Sequence, residues 1–315
     1  SALGGGVTFF LSVSLFIGVM SYATALVAQY YGSGRLDKCP RVLTQGFLMA
    51  LACQPILWMI AWGMGGLFGA MGHSPEQVVL EQQYYYVMMG GAFFALMKAC
   101  AAGYFCGIGS TRVVMITDVL GVLINIPLTW VLIFGKFGFP ELGIRGAALG
   151  TVIAAGCTMG IYALFYFSTL HRERFCVAES FHFDSGILRR YIRLGLPSGF
   201  ETFVGAATFT LFLLMFQSYG VAEGAAMAIV FNWDMLNYVP LIGLNIAVTS
   251  MIGRYVGSAD MTRANQIIIA AFSIALSFST LLALLFVVFR TELIMVFATP
   301  EQDFSLIAGL GSRMM

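Results

Sequence analysis

The chain has 315 residues, 59% hydrophobic and only 10% charged, with a formal net charge of +1 and a mean hydropathy of +0.88. An average soluble domain carries roughly 25% charged residues, so this composition describes a chain dissolved in lipid and excludes an ordinary water-soluble fold. The near-neutral charge, without a basic stripe interleaved with aromatics, excludes electrostatic binding to nucleic acid.

A helix needs about 20 predominantly apolar residues to cross the hydrocarbon core. Charge-poor runs meet that need at 3–30, 43–70, 79–106, 113–135, 146–169, 192–219, 224–252 and 265–289, and a ninth run opens near Asp303. The first has neither a basic leader nor a cleavage motif, so it is expected to span rather than to act as a secretory signal. Gly- and Ala-rich stretches such as GAALGTVIAAG favour close helix packing, because lipid supplies no hydrophobic drive between helices. The six cysteines lie mostly inside apolar runs without CxxC spacing, which points to packing rather than metal binding or disulfides. His73, His171 and His182 fall between the runs and are expected to be solvated.

Basic residues orient the bundle. Arg35, Lys38, Arg41, Arg112, Arg172, Arg174, Arg189, Arg190, Arg193, Arg254 and Arg263 lie on connections leaving the odd-numbered runs, against Lys136, Arg145 and Arg290 on the others. The richer side is expected to be cytoplasmic, in a multi-pass protein of the cell's inner membrane. The stretch from His171 to Arg193 holds five arginines and is the longest polar segment. It divides the chain into a first lobe at 1–170, a cytoplasmic linker at 171–191 and a second lobe at 192–315.

The chain also repeats itself. Sliding 11–77 onto 236–302, an offset of 225, makes 14 of 67 positions identical. They include Gly18/Gly243, Tyr30/Tyr255, Gly32/Gly257, Ser33/Ser258 and the run Pro75-Glu76-Gln77/Pro300-Glu301-Gln302. Glycines and turn residues at element ends are selected by geometry rather than by greasiness. The predicted fold is an all-α integral membrane bundle in two lobes, built from a parallel six-helix repeat. The parent would have twelve helices and this chain eight to nine, without the first helix of lobe one and the last helices of lobe two. Duplicated membrane bundles of this kind are the usual frame of secondary transporters.

A charge near the bilayer centre costs at least ~2.5–3.5 kcal/mol, so each one retained is a functional candidate. Glu201 stands four residues after Pro197, inside the run that opens the second lobe; its alternative is a local cap or a pair with Arg193. Asp234 lies about 15 Å into the next run by helical rise. With Asn232 and Asn237 nearby, it offers the hard oxygen ligands a cation wants, or a structural hydrogen bond. Lys98 is expected to snorkel or to pair with an acid across its lobe. Asp118, six residues past Arg112, is expected to be interfacial. Pro127 and Pro240 each free a carbonyl one turn back, giving either a hinge or a static kink. HExxH, GxSxG and DDxxD patterns are absent from the sequence, which argues against an enzyme.

The stretches ATALVAQYYGSGR (23–35), NIPLTWVLIFGKFGFPELGIRGAALGTVIA (125–154), RLGLPSGFE (193–201) and PLIGLNIAVTSMIGRYVGSAD (240–260) resemble the multidrug and toxic compound extrusion family, closest to its bacterial sodium-coupled branch. The resemblance implies an antiporter that expels small cationic amphipathic molecules by alternating access, in exchange for Na+ or H+ and with no other cofactor; a monomer is expected. The family carries a coupling glutamate at the position of Gly205, one turn beyond Glu201 on the same face. It thereby marks Glu201 as an expected site for coupling cation, Na+ included, or substrate charge, beside Asp234, which its depth and neighbouring amides single out. In the proton-coupled branch an Asp follows the Asn of the fourth run here by four residues. This chain keeps Asn125 but has Thr129, which shifts the expected coupling to the second lobe. The alternative is a lipid-linked oligosaccharide flippase of related architecture, which should hold more cavity cations than Lys98.

Overall fold

Runs of Leu, Ala, Phe and Met in lipid must satisfy their own backbone polar groups, and the helix is the local way to do so. The computed structural model describes residues 2–66, 68, 75–219 and 221–295, and those residues form helices without strands. Twelve α-helices follow one another: α1 Ala2–Ser21, α2 Ala23–Gly32, α3 Lys38–Gly65, α4 Pro75–Gly90, α5 Ala92–Gly107, α6 Thr111–Phe134, α7 Gly143–Tyr166, α8 Thr169–Phe175, α9 Ser185–Tyr219, α10 Val221–Gly257, α11 Met261–Val288 and α12 Arg290–Met295. The run expected from Asp303, the Pro300-Glu301-Gln302 half of the repeat and His73 lie outside the described residues.

Two expected spans are each built from two helices. α1 and α2 break at Tyr22 yet still form one candidate span from Gly4 to Gly32, whereas α4 and α5 are bent by 52° around Gly91. At the bend α7 comes so close that a Cβ on Gly91 would strike Val152. By contrast α6 and α10 run unbroken through Pro127 and Pro240. Polar caps set other ends: Asp260 Oδ1 accepts from Arg263 N at 3.1 Å to start α11, and Gly135, at φ 62°, ends α6 in the left-handed conformation glycine tolerates.

The chain divides into two compact units, Ser1–Ala207 with Gly253–Ala259, and Thr208–Ile252 with Asp260–Met315. In the first, α5 is the central helix, packed on α1, α2, α3 and α7. Its Leu96, Cys100 and Tyr104 are fully buried together with Leu26, Tyr85 and Tyr191. The Tyr191 hydroxyl, brought in by α9, donates to the Met20 carbonyl at 2.6 Å. α6 and α7 pack antiparallel, with Gly146 against Leu132, Gly150 against Thr129 and Gly121 against Thr158. In the second unit Trp233 Nε1 donates to the Leu293 carbonyl at 3.1 Å, and the rings of Phe209 and Phe231 lie 5.0 Å apart.

The repeat has a structural counterpart inside the first unit, where α2 crosses the last turn of α10. A Cβ on Gly32 would strike the Arg254 carbonyl, and one on Gly257 would strike the Gln29 carbonyl. Gln29 and Arg254, like Gly32 and Gly257, are equivalent under the 225-residue offset. Between them Gly253 meets its own equivalent, Ala28, where a Cβ would lie 2.6 Å from the alanine's. Each segment therefore offers the other the same surface, as a local twofold requires. The crossing is tied by Arg254, whose Nε donates to the Gly107 carbonyl at 3.3 Å while its guanidinium sits over the Tyr31 ring.

Candidate functional site

In the first unit the polar groups gather on α5, α6 and α7. Lys98 Nζ lies 3.1 Å from Asp118 Oδ1, and the two side chains are 42% and 43% exposed. Lys98 thus has its acid, supplied by the neighbouring helix. Asp118, expected to be interfacial, stands seven residues inside α6, about 10 Å along the axis. Asn125 and Thr129 follow it at intervals of seven and eleven residues, which keeps all three within about 40° of one face. Thr129 packs on Gly150 of α7.

The antiparallel register pairs 132 with 146, 129 with 150 and 121 with 158, so it sets Tyr162 opposite Thr117, the neighbour of Asp118. Thr117 Oγ1, Thr129 Oγ1 and Tyr162 OH are all buried without a hydrogen-bond partner among the described residues. Tyr162 and Cys106 are within electrostatic reach of the Asp118 carboxylate.

Glu201, also in the first unit, is exposed on α9, as is Pro127 on α6. In the second unit Asp234, Asn232 and Pro240 are exposed along α10. Asn237 is half-buried, and its Oδ1 accepts from Ser279 on α11 at 3.1 Å. That bond shows what the sequence could not: the amide thought to serve Asp234 is engaged across a helix contact.

Two polar groups escape a reading of the sequence. Glu81 of α4 is only 1% exposed, with Gln77 Nε2 at 3.5 Å from its carboxylate. A Cβ on Gly4 would lie 2.6 Å from its Oε1. The signal was a lone acid in the apolar run after residue 79. His171, expected in solvent, instead lies on α8 and shares a 2.8 Å hydrogen bond with the Tyr104 hydroxyl, its ring 4.6 Å from Phe175. Burial first, and the Arg174 charge second, lower its pKa to about 4. It borders a cavity of about 350 Å³ with Ser110, Ser168 and Arg174. The sequence hint was an aromatic at each end of α8's approach, Phe167 and Phe175.

Among the described residues six helices, or seven if the bent pair counts as one span, are long and apolar enough to cross a membrane. This is a multi-pass helical membrane protein. The chain belongs to the MatE family, whose profile matches residues 2–131 and 197–315, a family of transporters rather than enzymes. It is 27% identical over 294 residues to a probable multidrug resistance protein NorM of Bacillus anthracis, covering 90% of this chain and 63% of that one. A NorM of Photobacterium profundum is 26% identical, covering 93% and 64%. The chain thus spans somewhat under two thirds of the length of these relatives. Among solved structures, a MOP superfamily transporter from Pyrococcus furiosus superposes with a TM-score of 0.84 at 22% identity, over 98% of this chain and 68% of that one. A multidrug resistance MATE transporter in an outward-facing conformation gives 0.83 at 22%, over 98% and 70%. These likenesses establish the all-helical fold expected from the sequence.

Proposed function

We propose that this protein is an efflux antiporter of the inner membrane that exports small cationic amphipathic compounds in exchange for Na+ or H+ by alternating access. The observation that carries the reading is the exposed carboxylate of Asp234 inside the candidate span Ile229–Gly257, with a second exposed carboxylate, Glu201, on the 35-residue α9. Such acids face a water-lined path rather than lipid, and mark ion or substrate pathways. The similarity to multidrug resistance proteins supports the same direction.

The chemistry is mutual exclusion. A coupling cation or proton at Glu201 or Asp234 cancels a charge that is costly in low dielectric, and that favours the conformation which releases substrate outward. A cationic substrate cancels the same charge, so the two compete and their movements are coupled. Asn232 lies on the same helix as Asp234, two residues away, and the Asn237 amide oxygen accepts from Ser279. Against the flippase alternative, Lys98, the cation it would use, is paired with Asp118.

The test is ethidium movement in everted vesicles containing the full-length protein, under a sodium gradient and then a proton gradient. Glu201→Gln and Asp234→Asn are expected to lower gradient-driven transport at least about tenfold, near 1.4 kcal/mol of coupling. Wild-type protein that inserts but moves no ethidium under either gradient, or neutralised variants that match it, would sink the proposal.

A further inference from the structure

The Lys98–Asp118 pair is placed and exposed in a way a purely structural ion pair would not need. Both residues lie on membrane helices, yet more than a third of each side chain is exposed. Charges within membrane segments almost always face the bundle interior or a water-filled cavity rather than lipid. Around Asp118 are two buried hydroxyls without partners among the described residues, Thr117 and Tyr162. One turn away on either side, Met115 and Val122 present exposed apolar surface, at 62% and 57%. A carboxylate with the Tyr162 hydroxyl in electrostatic reach and exposed apolar side chains a turn away on either side suits an alkyl or aryl ammonium: the charge meets the acid and the body lies on Met and Val. Lys98 is itself a ligand of that kind, an ammonium on an alkyl stem.

We propose that Asp118 is a recognition point for the positive charge of an organic cation, and that Lys98 is a tethered ammonium occupying it until such a cation arrives. This rests on the efflux reading above and adds a site to it, separate from Glu201 and Asp234. Because the lysine is covalently held, it competes with substrate at a fixed effective concentration. It weakens binding and returns to Asp118 when the substrate leaves, so the acid is never left unpaired in the membrane.

The experiment measures ethidium binding by fluorescence anisotropy to full-length protein in nanodiscs, for wild type, Lys98→Met, Asp118→Asn and the double variant. Removing the tethered competitor is expected to tighten binding about three- to tenfold, and removing the acid to weaken it at least about fivefold. The double variant should bind as weakly as Asp118→Asn. A structural pair makes the opposite forecasts: Lys98→Met weakens binding by leaving a lone charge, and the double variant restores it. Should Asp118→Asn fail to assemble, as judged by monodispersity and thermal unfolding, the sign of the Lys98→Met effect alone decides. Wild type that neither binds nor transports ethidium overturns the efflux reading and this inference with it. Wild type that transports ethidium, with Lys98→Met binding no tighter, overturns this inference alone.

Discussion

A carboxylate on a membrane helix persists only where something offsets its charge, and the acids of this chain do so in different ways. Asp118 has Lys98 at 3.1 Å. Glu81 is enclosed, with Gln77 in reach. Glu201 is exposed on α9, and Asp234 is exposed inside the candidate span Ile229–Gly257. At this scale the sequence announced the need but not the partner: Lys98 visibly required an acid, and the acid lies on the next helix, at a separation helical periodicity does not reach. His171 is the clearer failure, because a polar residue between apolar runs reads as solvated until Tyr104 and Phe175 are brought around it. Its pKa, lowered from 6.5 to about 4, has a consequence for acid stability. The unfolded chain takes up the proton first, so this contribution is fully present above pH ~6.5 and is lost as pH falls toward 4. The unfolding temperature should therefore fall more steeply between pH 6.5 and 4.5 in wild type than in His171→Asn. Equal slopes would show that the imidazole takes up its proton as readily in the folded protein as in the unfolded chain.

At the scale of elements, small residues decide how closely α6 and α7 approach. The Gly-Ala richness of 146–156 was legible as a packing face, but its partner was not. The structure seats Gly146 on the Leu132 backbone and Gly150 on Thr129. Gly150→Leu should therefore force the pair apart and cost about 1–3 kcal/mol, the usual penalty of overpacking. Thermal unfolding in detergent checks this, with Gly160→Leu, where an added Cβ meets nothing within 4 Å, as the silent control. A comparable loss in both variants would show that the contact does not discriminate between them. α6 and α10 continue as helices through Pro127 and Pro240, while the bend of 52° falls at Gly91, where Val152 leaves no room for a Cβ.

At the scale of the whole molecule, the 225-residue repeat predicts that equivalent residues do equivalent work. The crossing of α2 with the end of α10 bears Gly32 and Gly257 in matching positions, each pressed on the carbonyl of the other segment's equivalent residue. Gly32→Val and Gly257→Val should consequently impair transport alike, each by about tenfold or more if the crossing loosens by 1–3 kcal/mol. Ethidium efflux rates normalised to the membrane-inserted amount provide the measure. A severe loss in one variant beside a wild-type rate in the other would mean that the sequence equivalence has no mechanical counterpart.

The sequence by itself determined the solvent, the helical class, the approximate spans and the repeat. All of these are written in hydropathy and spacing along the chain, where each residue speaks for its own neighbourhood. Only the tertiary structure decided which acid meets Lys98, that Glu81 is enclosed, that His171 enters an aromatic pocket and that Asn237 serves Ser279. Those outcomes depend on helix rotation and register between segments distant in sequence. In a bundle where nearly every surface is apolar, hydrophobicity cannot choose among rotations, so steric fit at glycines and the pairing of rare polar groups make the choice.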